Sequence, residues 1–201
     1  MPTQEELQKL PRWCQVNLLT LRRTFHNDTQ SASDELMKER EGWARTIGED
    51  VFSYMHHYCM GLNVMNRYFD KEAELATAPE DKKELEKKRL AGGLEEFNFV
   101  KDYLRQAHNV FYPELLLNEA VIYRELDDVQ KAIGSLAEAL KVKPDYVAAY
   151  LELSRTMKTA GDATEAKKVL DLGLKMTSGS EAIKRALEAY RSRDDAVTSP
   201  Q

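Results

Sequence analysis

Apolar residues recur at steps of three and four along most of this chain, the period of an α-helix with one buried face. The clearest run is Trp43, Ile47, Val51, Tyr54, Tyr58, Leu62, Met65 and Phe69, which predicts one helix from Trp43 to Phe69. Phe52, Met55 and Cys59 widen its apolar band, so burial on more than one side is expected. Upstream, Trp13, Val16, Leu18, Leu19, Leu21 and Phe25 predict a helix over 13–25. Thr3 and Glu6 form a capping box for a short first helix, which Pro11 ends or restarts. The polar run 26–33 reads as a loop, with Ser33 or Asp34 opening the next helix. Downstream, residues 70–82 interrupt the pattern, with Pro79 as the breaker. Leu90, Leu94, Phe97, Val100 and Leu104 then predict a helix from Glu84 to His108, weakened in the middle by Gly92 and Gly93.

Residues 113–178 carry the same pattern twice, 34 residues apart and without a gap. Leu116 recurs as Tyr150, Ala120 as Ser154, Tyr123 as Met157, Ala132 as Ala166, Leu136 as Leu170 and Ala139 as Gly173. Helices are predicted over 113–126, 129–142, 147–160 and 163–176, with turns at Asp127-Asp128 and Gly161-Asp162. Pro113 suits a first helical position and Pro144 ends the second helix. Small residues stand where two helices must approach closely, and Leu136 and Leu170 fill the space between. A helical hairpin of this size buries its apolar face only by stacking on neighbours. A last helix over 179–192, with Ile183, Leu187 and Tyr190 on one stripe and Lys184, Arg185, Glu188 and Arg191 on the wet face, is expected to seal the stack. Residues 193–201 read as a frayed tail.

The 34-residue pattern resembles the tetratricopeptide repeat. The resemblance implies an all-α fold: a short right-handed solenoid of helical hairpins, with residues 30–112 as an elongated, degenerate hairpin after an N-terminal segment 1–29. Glu119 stands where leucine is usual and Met157 where an aromatic is usual. Proteins of this kind bind other proteins in a groove lined by the first helix of each repeat. The resemblance places Glu114, Leu117, Val121, Arg124 and Glu125, then Ala148, Leu151, Arg155, Lys158 and Thr159, on that wall, with Asn118 and Glu152 beside them. Leu117 and Val121 occupy places where a carboxylate clamp needs polar residues, so a chaperone-tail cochaperone is not expected. Leu117, Asn118, Val121, Arg124, Tyr150, Leu151 and Arg155 instead suit an amphipathic helix or extended peptide bearing an acidic group. The polar stripe Asn63, Asn66 and Arg67 reads either as a further part of such a groove or as a solvated outer face.

Composition narrows the function classes. A net charge of −5 with no basic stripe disfavours nucleic acid, and no run of 18 apolar residues exists to span a membrane. No phosphate-binding glycine loop, G-x-S-x-G or H-E-x-x-H occurs, so no enzyme activity and no cofactor are expected. The segment Met55-His56-His57-Tyr58-Cys59 leaves three readings open: a metal or haem site using His56, His57 and Cys59 with help from Cys14, His26 or His108; a Cys14–Cys59 disulfide; or plain buried side chains. LPRWC at 10–14, Trp43, Gly48 and MHHYCMGLNVMNR at 55–67, followed by the repeats, resemble a family of small exported bacterial tetratricopeptide proteins. That resemblance implies a removed leader, a periplasmic or otherwise exported location and a disulfide; a cytoplasmic protein is the alternative. The expected partner is a protein or peptide, in an oligomeric state the sequence leaves open.

Overall fold

The computed structural model describes the backbone of residues 1–26 and 32–198 and the side chains of 1–21 and 32–190. Most of the expected 26–33 loop, and the side chains of Phe25 and His26, therefore lie outside the described residues. The described residues form eleven helices and no strand: α1 (Gln4–Gln8), α2 (Arg12–His26), α3 (Asp34–Ile47), α4 (Glu49–Phe69), α5 (Glu72–Ala76), α6 (Glu80–Gln106), α7 (Tyr112–Glu125), α8 (Val129–Val142), α9 (Val147–Thr159), α10 (Ala163–Met176) and α11 (Glu181–Thr198). None is long and apolar enough to cross a membrane. The chain divides into two units, Met1–Leu115 and Leu116–Gln201.

In the first unit the run expected as one helix from Trp43 to Phe69 is two. Gly48 has φ +105° and ψ 124°, which a side chain tolerates poorly, and it is at once the C-cap of α3 and the N-cap of α4. Its amide closes α3 on the Ala44 carbonyl, and its carbonyl accepts the first bond of α4 from Phe52. Thr3 and Glu6 form the expected capping box, and Ser33 caps α3. By contrast, α6 runs unbroken through Gly92 and Gly93, because it is fastened along α4. The two are antiparallel: Tyr54 pairs with Tyr103, His57 with Phe99 and Tyr58 with Phe97. They approach closely at Gly61, where a Cβ would lie 2.3 Å from the Phe97 ring.

Phe52, Met55, Tyr58, Leu90, Phe97 and Leu104 make the fully buried core of this unit. On the other flank α2 and α3 pack on α4. Trp13 of α2 sits 5.6 Å from the Tyr58 ring, and the Asn17 amide donates to the Phe52 carbonyl at 2.7 Å. Cys14 of α2 and Cys59 of α4 are joined by a disulfide, with their Cα atoms 5.5 Å apart.

In the second unit the two 34-residue copies fold as matched hairpins. Ala120, Ala132, Leu136 and Ala139 are buried in the first copy, as are Tyr150, Ser154, Ala166 and Leu170 in the second. Asp128 and Asp162, 34 apart, both cap the helix that follows, accepting from the amides of Lys131 and Glu165. Just before them, Asp127 and Gly161 share a left-handed backbone, with φ 61° and 88°. Gly173 lies beneath Tyr150, and a Cβ there would meet the ring at 2.7 Å. Ile183 and Leu187 of α11 close this core with Tyr150 and Leu170. Helix α11 continues to Thr198, past the end expected at 192, since residues 191–198 contain no glycine or proline to stop it. Residues 199–201 of the expected tail lie outside the described residues.

Candidate partner-binding surface

Polar contacts link helices α7, α9 and α11. Arg124 of α7 donates Nε to Glu152 of α9 at 2.6 Å and Nη1 to Glu125 at 2.5 Å. Ser154 of α9 meets the Tyr190 hydroxyl of α11 at 3.3 Å, and the Lys158 ammonium stands 5.8 Å from the Tyr190 ring centre. Half-exposed Leu117, Asn118 and Val121 on α7 and half-exposed Leu151 on α9 lie among these ties. Residues 123–190 match the tetratricopeptide repeat family. This segment is a tetratricopeptide repeat array. No curated protein and no solved structure matches the chain.

The repeat array changes the chemistry expected of several groove residues. Tyr150 does not line the surface: it is 4% exposed, donates its hydroxyl to the Pro144 carbonyl at 3.0 Å and covers Gly173. Its place in the repeat is that of Leu116, a fully buried position, and this was the available signal. Arg124 is half-buried rather than an open cation. Burial opposes its charge, but the bonds it donates to Glu152 and Glu125 outweigh that and hold its pKa above the ordinary value. Arg155 is exposed, with its guanidinium 3.7 Å from Glu152, and is the more accessible cation. Glu119, where leucine is usual, is buried and accepts from the Ser135 hydroxyl at 3.5 Å, so a polar contact replaces an apolar one.

The Asn63, Asn66 and Arg67 stripe lies on α4, in the first unit. Asn63 is completely buried and Asn66 half-buried. Arg67 grips Glu6 of α1 through two bonds of 2.6 and 2.9 Å, and this grip is the main reason the Glu6 carboxyl is pulled down to a pKa of about 2. Arg67 also lines a cleft of about 440 Å³ between α4 and α6. There Glu86 accepts from Lys71 at 3.0 Å and Arg89 at 2.5 Å, and Lys71 holds its carboxyl below the usual range against the effect of burial.

The metal reading of His56, His57 and Cys59 is overturned. The Cys59 sulfur is bonded to Cys14 and both cysteines are fully buried, so no thiolate remains to ligate. His57 Nδ1 is 2.8 Å from a Glu96 oxygen, and His56 Nδ1 donates to the Ser53 carbonyl at 3.0 Å. Burial pushes the His56 pKa down. Among the described residues no group of three or more His, Cys, Asp or Glu is placed to hold a metal ion.

Proposed function

We propose that the second unit is a non-catalytic scaffold that holds a helix or extended segment of a partner protein across α7 and α9. The observation that carries this reading is the Arg124–Glu152 bond, which joins the first helices of both repeats beside half-exposed Leu117, Val121 and Leu151. Apolar side chains of the partner would rest on those three residues, and an acidic group would find Arg155 rather than Arg124. The buried disulfide and the resemblance of residues 10–14 and 55–67 to exported bacterial repeat proteins support a place in a bacterial envelope assembly, outside the reducing cytosol.

The test is a peptide-display selection against the whole protein, followed by binding measurements on Leu117→Asp and Leu151→Asp variants. Both side chains are part-exposed, so the helices should survive, which far-UV circular dichroism checks. Loss of at least tenfold in affinity for the selected peptides is the expected result. Unchanged affinity in both variants sinks the reading.

A further inference from the structure

The face of the α4–α6 pair away from its core carries aromatic rings that stay partly exposed among the described residues. Tyr54 and Tyr103 stack across the seam with centroids 4.0 Å apart and planes 12° apart. One rung along, His57 and Phe99 stack at 4.4 Å and 13°. Phe99 is nevertheless 63% exposed and Tyr103 41%. His57 covers one face of Phe99, so the exposed area lies on its other face and edge. Phe99 and Tyr103 are four residues apart on α6, hence neighbours one turn apart on the same side of the helix.

The charges around these rings have one prevailing sign. Glu95 and Asp102 stand four residues before and three after Phe99, positions that flank its ring on the helix surface. Both are exposed. Glu96 lies beside His57, and Asp50 is one turn before Tyr54 on α4. The cations on this stretch are Lys101 and Arg105, and Arg105 is paired with Asp102 at 2.6 Å. Open aromatic faces between carboxylates attract a cation twice, through the ring quadrupole and through direct charge. A planar guanidinium stacks on such a face better than an ammonium does. The open, two-rung layout accepts side chains from a passing segment rather than enclosing a small cation.

We infer that the Tyr54–His57–Phe99–Tyr103 platform docks an arginine-bearing segment of a partner protein, with one guanidinium on Phe99 between Glu95 and Asp102. This surface belongs wholly to the first unit and stands whether or not the repeat surface binds as proposed above. A 16-residue helical peptide with two arginines four residues apart, and its counterpart with glutamine at both places, are titrated against the full chain by fluorescence anisotropy. The arginine peptide should bind more tightly than the glutamine peptide. Phe99→Leu, which keeps apolar bulk but removes the ring, should weaken it at least about fivefold. Glu95→Gln should weaken it about twofold and reduce its salt dependence. Because both side chains are exposed, melting temperatures should stay near that of the parent. Equal binding of the two peptides, no binding of the arginine peptide, or full affinity in Phe99→Leu overturns the assignment. So does a self-associated form that Phe99→Leu dissolves, since the platform would then be an interface between copies.

Discussion

The two units solve the same problem, bringing long helices into close contact, by different means. The repeat array does it periodically: Ala120 and Ser154, Ala132 and Ala166, Ala139 and Gly173 are small wherever helices meet. The first unit has no such period. Its long hairpin closes at one glycine, Gly61 against Phe97, and its flanking helix α2 is tied to α4 by a covalent bond. Periodic small residues repeat one packing solution along the array, whereas the first unit combines a close glycine approach with a covalent tie.

Removing the disulfide should break the comparison most visibly. The Cys14–Cys59 bond closes a separation of 45 residues. Chain entropy assigns about 4 kcal/mol to a loop of that length. A Cys14→Ala/Cys59→Ala variant should lose most of that from the first unit and little from the second. Both tryptophans, Trp13 and Trp43, lie in the first unit, so their fluorescence reports its unfolding alone, while far-UV circular dichroism reports both. In urea the fluorescence midpoint should fall well below that of the parent while a later helical transition persists. A common shift of both signals would show that the units do not unfold separately.

This difference also explains what the sequence made legible. The second unit was readable because register repeats: Asp128 and Asp162 cap, Leu136 and Leu170 fill, and each position has a twin to check it. The same check, applied to Tyr150 against Leu116, would have kept Tyr150 out of the groove. In the first unit no twin exists. The apolar step from Ile47 to Val51 continues across Gly48 in helical phase, so periodicity hides the break; the acidic pair Glu49-Asp50 after it was the only start signal. On α6, Glu86, Leu90, Gly93, Phe97, Val100 and Leu104 form the buried stripe, and Leu85, Arg89, Gly92, Glu96, Phe99 and Tyr103 a parallel stripe one residue away. Spacing alone does not say which of two such stripes faces the neighbour. The Arg124–Glu152 pair, 28 residues apart, depends on stacking between repeats, which composition and local pattern do not encode.

A sharper version of the comparison adds one methyl group to each unit at a glycine in close contact, Gly61 and Gly173. Gly61→Ala drives a Cβ to 2.3 Å from a Phe97 ring that is completely buried, with α4 held on its other flank by the disulfide. Gly173→Ala meets Tyr150 at 2.7 Å and Ile183 at 3.0 Å. Overpacking of this kind costs about 1–3 kcal/mol. Gly61→Ala should fall at the upper end, and Gly173→Ala at the lower, because the added Cβ comes to 2.3 Å from Phe97 but only to 2.7 Å from Tyr150, and α11 lies at the end of the array. Urea midpoints followed by fluorescence for the first and by circular dichroism for the second decide the order. A larger loss for Gly173→Ala would mean that the periodic packing yields less than the singular one.

The substitution of smallest expected effect, at Gly161, isolates backbone conformation from packing. A Cβ at Gly161 would meet nothing within 4 Å, so substitution there tests only its φ of 88°. The twin position holds Asp127 at φ 61°, so an aspartate is already accepted in this turn. Gly161→Ala should cost about 1 kcal/mol, the penalty of a left-handed residue with a Cβ, and Gly161→Asp less, since a short polar side chain visits that region more readily. At Gly48 of the first unit, ψ of 124° takes the backbone outside the left-handed helical region that Asp tolerates, and the nearest neighbour is an ordinary 3.7 Å contact with Val51. Gly48→Asp should therefore cost about 2 kcal/mol or more. Thermal denaturation of these three single variants compares them directly: if aspartate is as costly at 161 as at 48, equivalence within the repeat does not extend to its turns.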